Sequence, residues 1–110
     1  MIEKLKKLKE RYQVLTELLA KPEATEDLDS YKSLVREHAE LETIVAAFDR
    51  YQSIQRQCED CRAILGEHPE PDMKALAEEE LTELQDRLSE QETELKSLLL
   101  PKDLSRQFLS

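Results

Sequence analysis

Residues 66–72 read GEHPEPD, and this short stretch separates two long helical patterns. Gly66 is the single glycine of the 110-residue chain, and it can take the left-handed conformation that ends a helix. Pro69 and Pro71 prevent the helix from resuming at once, and Pro71 or Asp72 suits the first turn of a new helix. Because the break is short, the sequence predicts that the helices on its two sides are antiparallel neighbours.

Both flanking segments carry apolar residues at three- and four-residue steps, which is typical of amphipathic helices. Before the break, from about residue 29 to residue 65, these positions are Tyr31, Leu34, His38, Leu41, Val45, Phe48, Tyr51, Ile54, Cys58, Cys61 and Leu65. After it, a heptad seam of the coiled-coil type consists of Ala77, Leu81, Leu84, Leu88, Gln91, Leu95 and Leu98. We predict that this third helix ends at Leu100, because Pro101 disfavours helical geometry in the residue before it.

A first and shorter helix is predicted over residues 1–20, with apolar positions at Ile2, Leu5, Leu8, Tyr12, Leu15 and Leu19. Pro22 ends it, and Thr25, Asp27 and Asp29 are candidate caps for the second helix. The composition, with 37% charged and 5% aromatic residues, favours long helices over strands. The sequence therefore predicts an all-α fold: an elongated antiparallel three-helix bundle, or coiled-coil-like hairpin, thinly covered at the hairpin end.

The distribution of charge suggests where a partner would bind. A net charge of −9 argues against binding a phosphate backbone along the whole chain. Residues 1–21, however, hold six basic residues against three acidic ones, and we predict Lys4, Lys7 and Arg11 as contacts to RNA or to an acidic partner. A membrane-surface role is disfavoured because a row of glutamates occupies the centre of the same polar face.

No segment approaches the roughly 18 consecutive apolar residues of a membrane span, and the N-terminus lacks the apolar region of a signal peptide. We therefore expect a cytoplasmic protein. Its two cysteines would be reduced there.

Cys58 and Cys61 form a Cys-x-x-Cys motif, a pattern that holds zinc or performs redox chemistry in other folds. One such pair inside a helical pattern, with only a solvated His68 nearby, does not complete a structural zinc site, so we interpret both as small buried hydrophobes. His38 is interpreted as a core or interface histidine that is hydrogen-bonded to a carboxylate. The residues alone thus predict an interaction module without catalytic, cofactor or metal sites. They leave open a scaffold that dimerises through the heptad seam, and a redox or zinc function.

Residues 73–103, MKALAEEELTELQDRLSEQETELKSLLLPKD, resemble the third helix and neck of bacterial class I peptide chain release factors of the type that reads UAA and UAG. The matching residues are Pro71, Met73, Ala77, Glu79, Glu80 and Leu81 at the start, and Leu98, Leu99, Leu100, Pro101, Lys102 and Asp103 at the end. YKSLVREHAEL at 31–41 and IEKLKKLKERYQVLTELL at 2–19 also fit. The resemblance spans residues 1–103.

This resemblance implies a helical N-terminal domain at 1–100, followed by a neck and tail at 101–110. The neck motif is Leu99, Leu100, Pro101, Lys102 and Asp103. It also implies a role in translation termination, with the ribosome as partner through rRNA and protein of the large-subunit stalk base, and the recycling GTPase as a second partner. We expect a monomer with no cofactor, small-molecule substrate or membrane contact.

The resemblance does not extend to catalysis. A chain with one glycine cannot contain the Gly-Gly-Gln that releases the peptide, and no Pro-x-Thr of the codon-reading kind is present. After PKD the family continues with another proline and acidic residues, whereas this chain continues with LSRQFLS at 104–110. We therefore expect either a chain truncated or altered at this point, or a free-standing homologue of the domain.

Overall fold

A computed structural model of the chain describes residues 1–101, and within them it contains three α-helices and no strand. Helix α1 spans Ile2–Ala20, α2 spans Leu28–Gly66 and α3 spans Pro71–Leu98. A 3₁₀ turn at Pro22–Thr25 lies between α1 and α2. The all-α prediction is confirmed, with α1 as the shortest of the three helices. None of the helices in this range is long and apolar enough to cross a membrane.

The apolar periodicity correctly identified the buried face of each helix. Every position of the three predicted stripes is buried or half-buried, and none is exposed. The most deeply buried large side chains include Leu5 and Leu15 of α1, Phe48 of α2 and Leu95 of α3, each at most 1% exposed. Helices of this length are not stable through intrinsic propensity alone, so burial of these stripes holds them in place.

The chain divides into two compact units, Met1–Phe48 and a second that begins at Asp49. In the second unit the last part of α2 packs on α3. Cys58 and Cys61 are buried together with Leu84, and Arg50 donates to Glu94 at 3.4 Å. Residue numbers rise along α2 while those of their partners fall along α3, which confirms the antiparallel hairpin.

Asp27 is the candidate cap that begins α2. Its Oδ1 accepts hydrogen bonds from the backbone N–H groups of Asp29 at 3.2 Å and Ser30 at 3.3 Å, and its Oδ2 accepts one from the Ser30 hydroxyl at 3.0 Å. These bonds to Ser30 and Asp29 lower the pKa of the Asp27 carboxyl. The carboxylate thus satisfies N–H groups that the first turn of a helix leaves without partners.

The end of α2 differs from the prediction. Gly66 does not take a left-handed conformation; it forms the last residue of the helix, and His68 has the positive φ, at 53°. The N–H groups of Glu67 and His68 donate to the carbonyls of Ile64 and Leu65 at 3.2 and 3.3 Å. These shorter-range bonds tighten the final turn past the glycine, so the chain reverses two residues later than expected.

The end of α3 also comes earlier than predicted. The helix ends at Leu98, not Leu100, and the N–H groups of Leu99 and Leu100 donate to the carbonyls of Leu95 and Ser97 at 3.1 and 3.2 Å. Because Pro101 restricts the residue before it, Leu100 leaves the helix before the proline is reached.

Gly66→Ala tests the observed helix end. Because Gly66 is helical and a Cβ there meets no atom within 4 Å, we expect the alanine variant to be more stable by up to about 1 kcal/mol. Urea unfolding followed by circular dichroism measures the change. A left-handed Gly66 would give the opposite sign, so a less stable variant would contradict the structure.

Leu84→Ala tests the packing of α3 on α2. The side chain is 2% exposed, and its removal is expected to lower the free energy of unfolding by about 2–5 kcal/mol. Leu76→Ala is the matched control on the same helix: Leu76 is 62% exposed, and its loss should change stability by no more than about 0.5 kcal/mol. Equal effects of the two substitutions would show that the seam is not buried.

Candidate functional site

The basic residues predicted to bind a partner lie on one face of α1. Lys4, Lys7 and Arg11 are spaced by three and four residues, which places them on one side of the helix. All three are exposed. The buried Leu5 and Leu15 lie on the neighbouring side of α1, so the basic residues flank the buried face of the helix.

Arg11 is held by a carboxylate of α2. Its Nε donates to Glu37 Oε1 at 2.9 Å, and its Nη2 donates to Glu37 Oε2 at 3.0 Å. This two-bond geometry matches the planar guanidinium to the planar carboxylate. Both side chains remain close to half exposed, at 45% and 42%. The pair therefore fixes the direction of the guanidinium while leaving one of its edges accessible to solvent.

The ion pair shifts both pKa values in the direction that strengthens it. The hydrogen bonds from Arg11 lower the pKa of the Glu37 carboxyl, and those to Glu37 raise the pKa of the guanidinium. Partial burial opposes both shifts. Exposed pairs contribute little to stability on average, so the main effect here is to orient the two side chains.

Next to this pair, His38 of α2 stacks on Tyr12 of α1, with ring centroids 4.5 Å apart and planes inclined by 18°. His38 Nε2 lies 2.9 Å from the hydroxyl of Thr16. That hydroxyl also donates a hydrogen bond to the Tyr12 carbonyl at 2.9 Å. The partner of Nε2 is a hydroxyl, where the sequence predicted a carboxylate. Thr16 lies one helical turn after Tyr12, on the same face of α1.

Cys58 and Cys61 lie inside the second unit, 0% and 3% exposed, as free thiols. Leu84 completes their cluster, with Ile54 and Leu81 packed against it. Burial and the negative charge of Glu80 raise the pKa of the Cys61 thiol. Because the thiolate is the reactive and metal-binding form, this surrounding favours the inert thiol. Among residues 1–101, no group of three or more His, Cys, Asp and Glu side chains is placed to hold a metal ion.

The neck motif is only partly within the described range. Leu99 is half-buried, Leu100 is 39% exposed and Pro101 is exposed. Lys102 and Asp103 lie outside the described residues, as does the predicted tail at 104–110, so the division into a domain and a neck stays a prediction.

The basic spacing of α1 predicted Lys4, Lys7 and Arg11, but it missed Glu37. Twenty-six residues separate Glu37 from Arg11, and no local pattern joins them. The apolar stripes of α1 and α2 are the one sequence signal that could have found Glu37, because they predict which residues border the packed faces of the two helices.

The model of one protein family, the PCRF domain, matches residues 8–107. The chain belongs to the PCRF domain family. The match includes the last turns of α3 and the neck motif, and it reaches four residues beyond the resemblance to class I release factors found in the sequence. That resemblance is confirmed.

Curated relatives of this PCRF domain carry the name peptide chain release factor 1. It is 39% identical over 103 residues to the one from Carboxydothermus hydrogenoformans, 37% to that of Chlorobaculum tepidum and 36% to that of Bacillus licheniformis. Each alignment covers 94% of this chain and 29% of the relative. The chain thus spans less than a third of the length of these relatives. No solved structure matches it.

The Arg11–Glu37 ion pair predicts a dependence of stability on pH. The folded pKa of Glu37 lies below its usual value of 4.5, so its stabilising effect is complete above that value and is lost as the pH falls through the folded pKa. We expect the difference in urea midpoint between the native chain and Glu37→Gln to be largest near neutral pH. It should vanish at a pH below the pKa of Glu37 in both the folded and the unfolded chain.

Glu42→Gln, at an exposed position of the same helix, is the control for this titration. Its difference from the native chain should vary less over the same pH range. A Glu37→Gln difference that stays constant down to the lowest pH would show that the ion pair does not form.

Proposed function

We propose that this PCRF domain is a non-catalytic helical domain that acts in translation termination, in the cytoplasm. The observation that carries the proposal is the match of the chain to proteins named peptide chain release factor 1 over 94% of its length. The neck motif after the heptad seam supports it. Because the chain spans 29% of those relatives, their full activity is not carried over to it.

The absence of catalysis in this proposal is supported by the side chains that could otherwise react. His38 is stacked on Tyr12 and bound to Thr16, and the two cysteine thiols are buried. The sequence contains neither of the two tripeptides that its resemblance to release factors associates with codon reading and peptide release. The domain would therefore act through binding contacts with partner molecules and not through a reaction of its own.

The proposed partner is the large ribosomal subunit at its stalk base, through rRNA and protein, with the recycling GTPase as a second partner. Lys4, Lys7 and Arg11 are proposed as the contacts. Exposed ammonium and guanidinium groups attract phosphates, and each such contact releases counterions. The net charge of −9 would repel RNA from other faces, so a local basic patch also fixes the orientation in which the domain approaches.

The neck, from Leu99 to Asp103, is proposed to set the direction of the chain that follows a release-factor domain. Pro101 supports this role because its ring fixes one backbone angle and restricts Leu100. The helix before it ends at Leu98, with its last turn tightened by the bond from Leu100 to Ser97. A stiff neck would make the direction of the following chain depend on the position of the docked domain.

The rival prediction, a module that dimerises through the heptad seam, has less support. That function needs the seam to lie between two chains. In a single chain Leu84 and Leu95 are already 2% and 0% exposed, and Ala77 is 4% exposed. Since little of the seam is left for a second chain to cover, a monomer is the state we propose.

Binding of the 110-residue chain to large ribosomal subunits, and its competition with an intact release factor 1, tests the proposal. Lys4→Glu with Lys7→Glu should weaken binding by at least about tenfold and reduce its salt dependence. Lys32→Glu with Lys74→Glu makes the same change of charge at two exposed positions elsewhere, and should have a smaller effect. No binding of the native chain at any salt concentration would overturn the proposal.

A charge exchange separates the two roles of Arg11. The double variant Arg11→Glu with Glu37→Arg keeps an ion pair between α1 and α2 but moves the guanidinium to α2. If Arg11 contacts the ribosome, the exchange restores the urea midpoint lost in Arg11→Glu without restoring binding. Recovery of both would assign Arg11 to stability alone, and leave Lys4 and Lys7 as the contacts.

A further inference from the structure

The end of the α2–α3 hairpin carries an open groove of about 370 Å³ that none of the functions above uses. Ile64 of α2 faces it from one side, and Met73 and Leu76 of α3 from the other. These three side chains are 39%, 49% and 62% exposed. We call this feature the hairpin-end groove. Apolar side chains gathered around one concave surface, as distinct from scattered singly, indicate an interaction site.

The rim of the hairpin-end groove is acidic. Glu79, Glu80 and Glu83 line it, and no lysine or arginine is among its lining residues. The charge of Glu80 also acts on the buried Cys61, whose pKa it raises, so this carboxylate lies toward α2 rather than away from the hairpin. The groove therefore combines an apolar floor with negative charge along one side.

We propose that the hairpin-end groove binds an amphipathic helix of a partner protein, with lysine or arginine residues flanking its apolar stripe. A groove between two helices accepts a third helix through apolar side chains at i, i+3, i+4 and i+7. The basic residues of the partner would face Glu79, Glu80 and Glu83, which steers the encounter and fixes its register.

Other occupants fit the groove less well. Nucleic acid and anionic membranes carry negative charge, which the three glutamates repel. A second copy of the chain offers the basic amphipathic helix α1, but the apolar stripe of α1 is already buried or half-buried in the folded chain. A basic helix from a different protein satisfies both the apolar floor and the acidic rim.

This inference does not rest on the proposed function. The hairpin-end groove belongs to the unit that begins at Asp49, whereas Lys4, Lys7 and Arg11 belong to Met1–Phe48. A chain that failed to bind ribosomes could still bind a basic helix here, so the two proposals fail separately.

The test uses a model peptide of about 18 residues, long enough to form a helix, with leucine at i, i+3, i+4 and i+7 and lysine elsewhere. A scrambled peptide of the same composition lacks the continuous stripe. In a fluorescence-anisotropy titration of the 110-residue chain, we expect the helical peptide to bind at least about tenfold more tightly than the scrambled one. Equal affinity would show only attraction between opposite charges, and would overturn the proposal.

Variants at exposed positions locate the binding. Met73→Ser with Leu76→Ser should weaken binding of the helical peptide at least about tenfold, because the apolar floor is lost. Leu28→Ser, at a leucine that is 61% exposed in the other unit, is the matched control and should leave it unchanged. The urea midpoint of each variant verifies folding. Equal loss in both variants would overturn the proposal.

Charge reversal tests the rim. Glu79→Lys with Glu83→Lys should reverse the preference, so that a leucine–glutamate helix binds more tightly than the leucine–lysine helix. Glu3→Lys with Glu10→Lys, the same change of charge on α1, should not reverse it. Reversal of the preference by both pairs of substitutions would overturn the assignment to a basic protein helix. So would binding of the native chain to duplex RNA or to phosphatidylserine vesicles, if Leu76→Ser abolishes that binding.

Discussion

Burial of Leu84 against Cys58 and Cys61 is the contact on which the hairpin depends. The last part of α2 and all of α3 are rich in charged residues, so each offers only a narrow apolar stripe, and neither stripe can be left in water. Packing the two stripes together leaves most glutamates of α3 at exposed positions. The same packing places Ile64 and Leu76 at the hairpin end, where little covers them, and thereby creates the acidic groove.

The helix faces could be predicted because they depend on spacing. A residue that recurs every three or four positions must lie on one side of a helix whatever it packs against. Leu5, Leu84 and Leu95 are therefore identified as buried from sequence alone. Asp27 was likewise recognisable as a cap, because its carboxylate acts on backbone groups only two and three residues away.

The features that could not be predicted are of two kinds. Some are contacts between segments that are distant in the sequence, and others are choices between backbone conformations of similar energy. Nothing near Arg11 in the sequence indicates Glu37, and nothing near His38 indicates a hydrogen bond with Thr16. At the hairpin break the glycine looked like the residue that reverses the chain, yet the helix continues through Gly66 and His68 adopts the positive φ. Two further backbone hydrogen bonds, from the N–H groups of Glu67 and His68, extend the final turn past the glycine.

The buried thiols have a practical consequence. They are the only cysteines of the chain, and a thiol-modifying reagent reaches them only when α2 and α3 part. Their rate of labelling thus measures how often this unit opens under native conditions. The native cysteines therefore report local opening of the hairpin, and no probe has to be introduced by mutation.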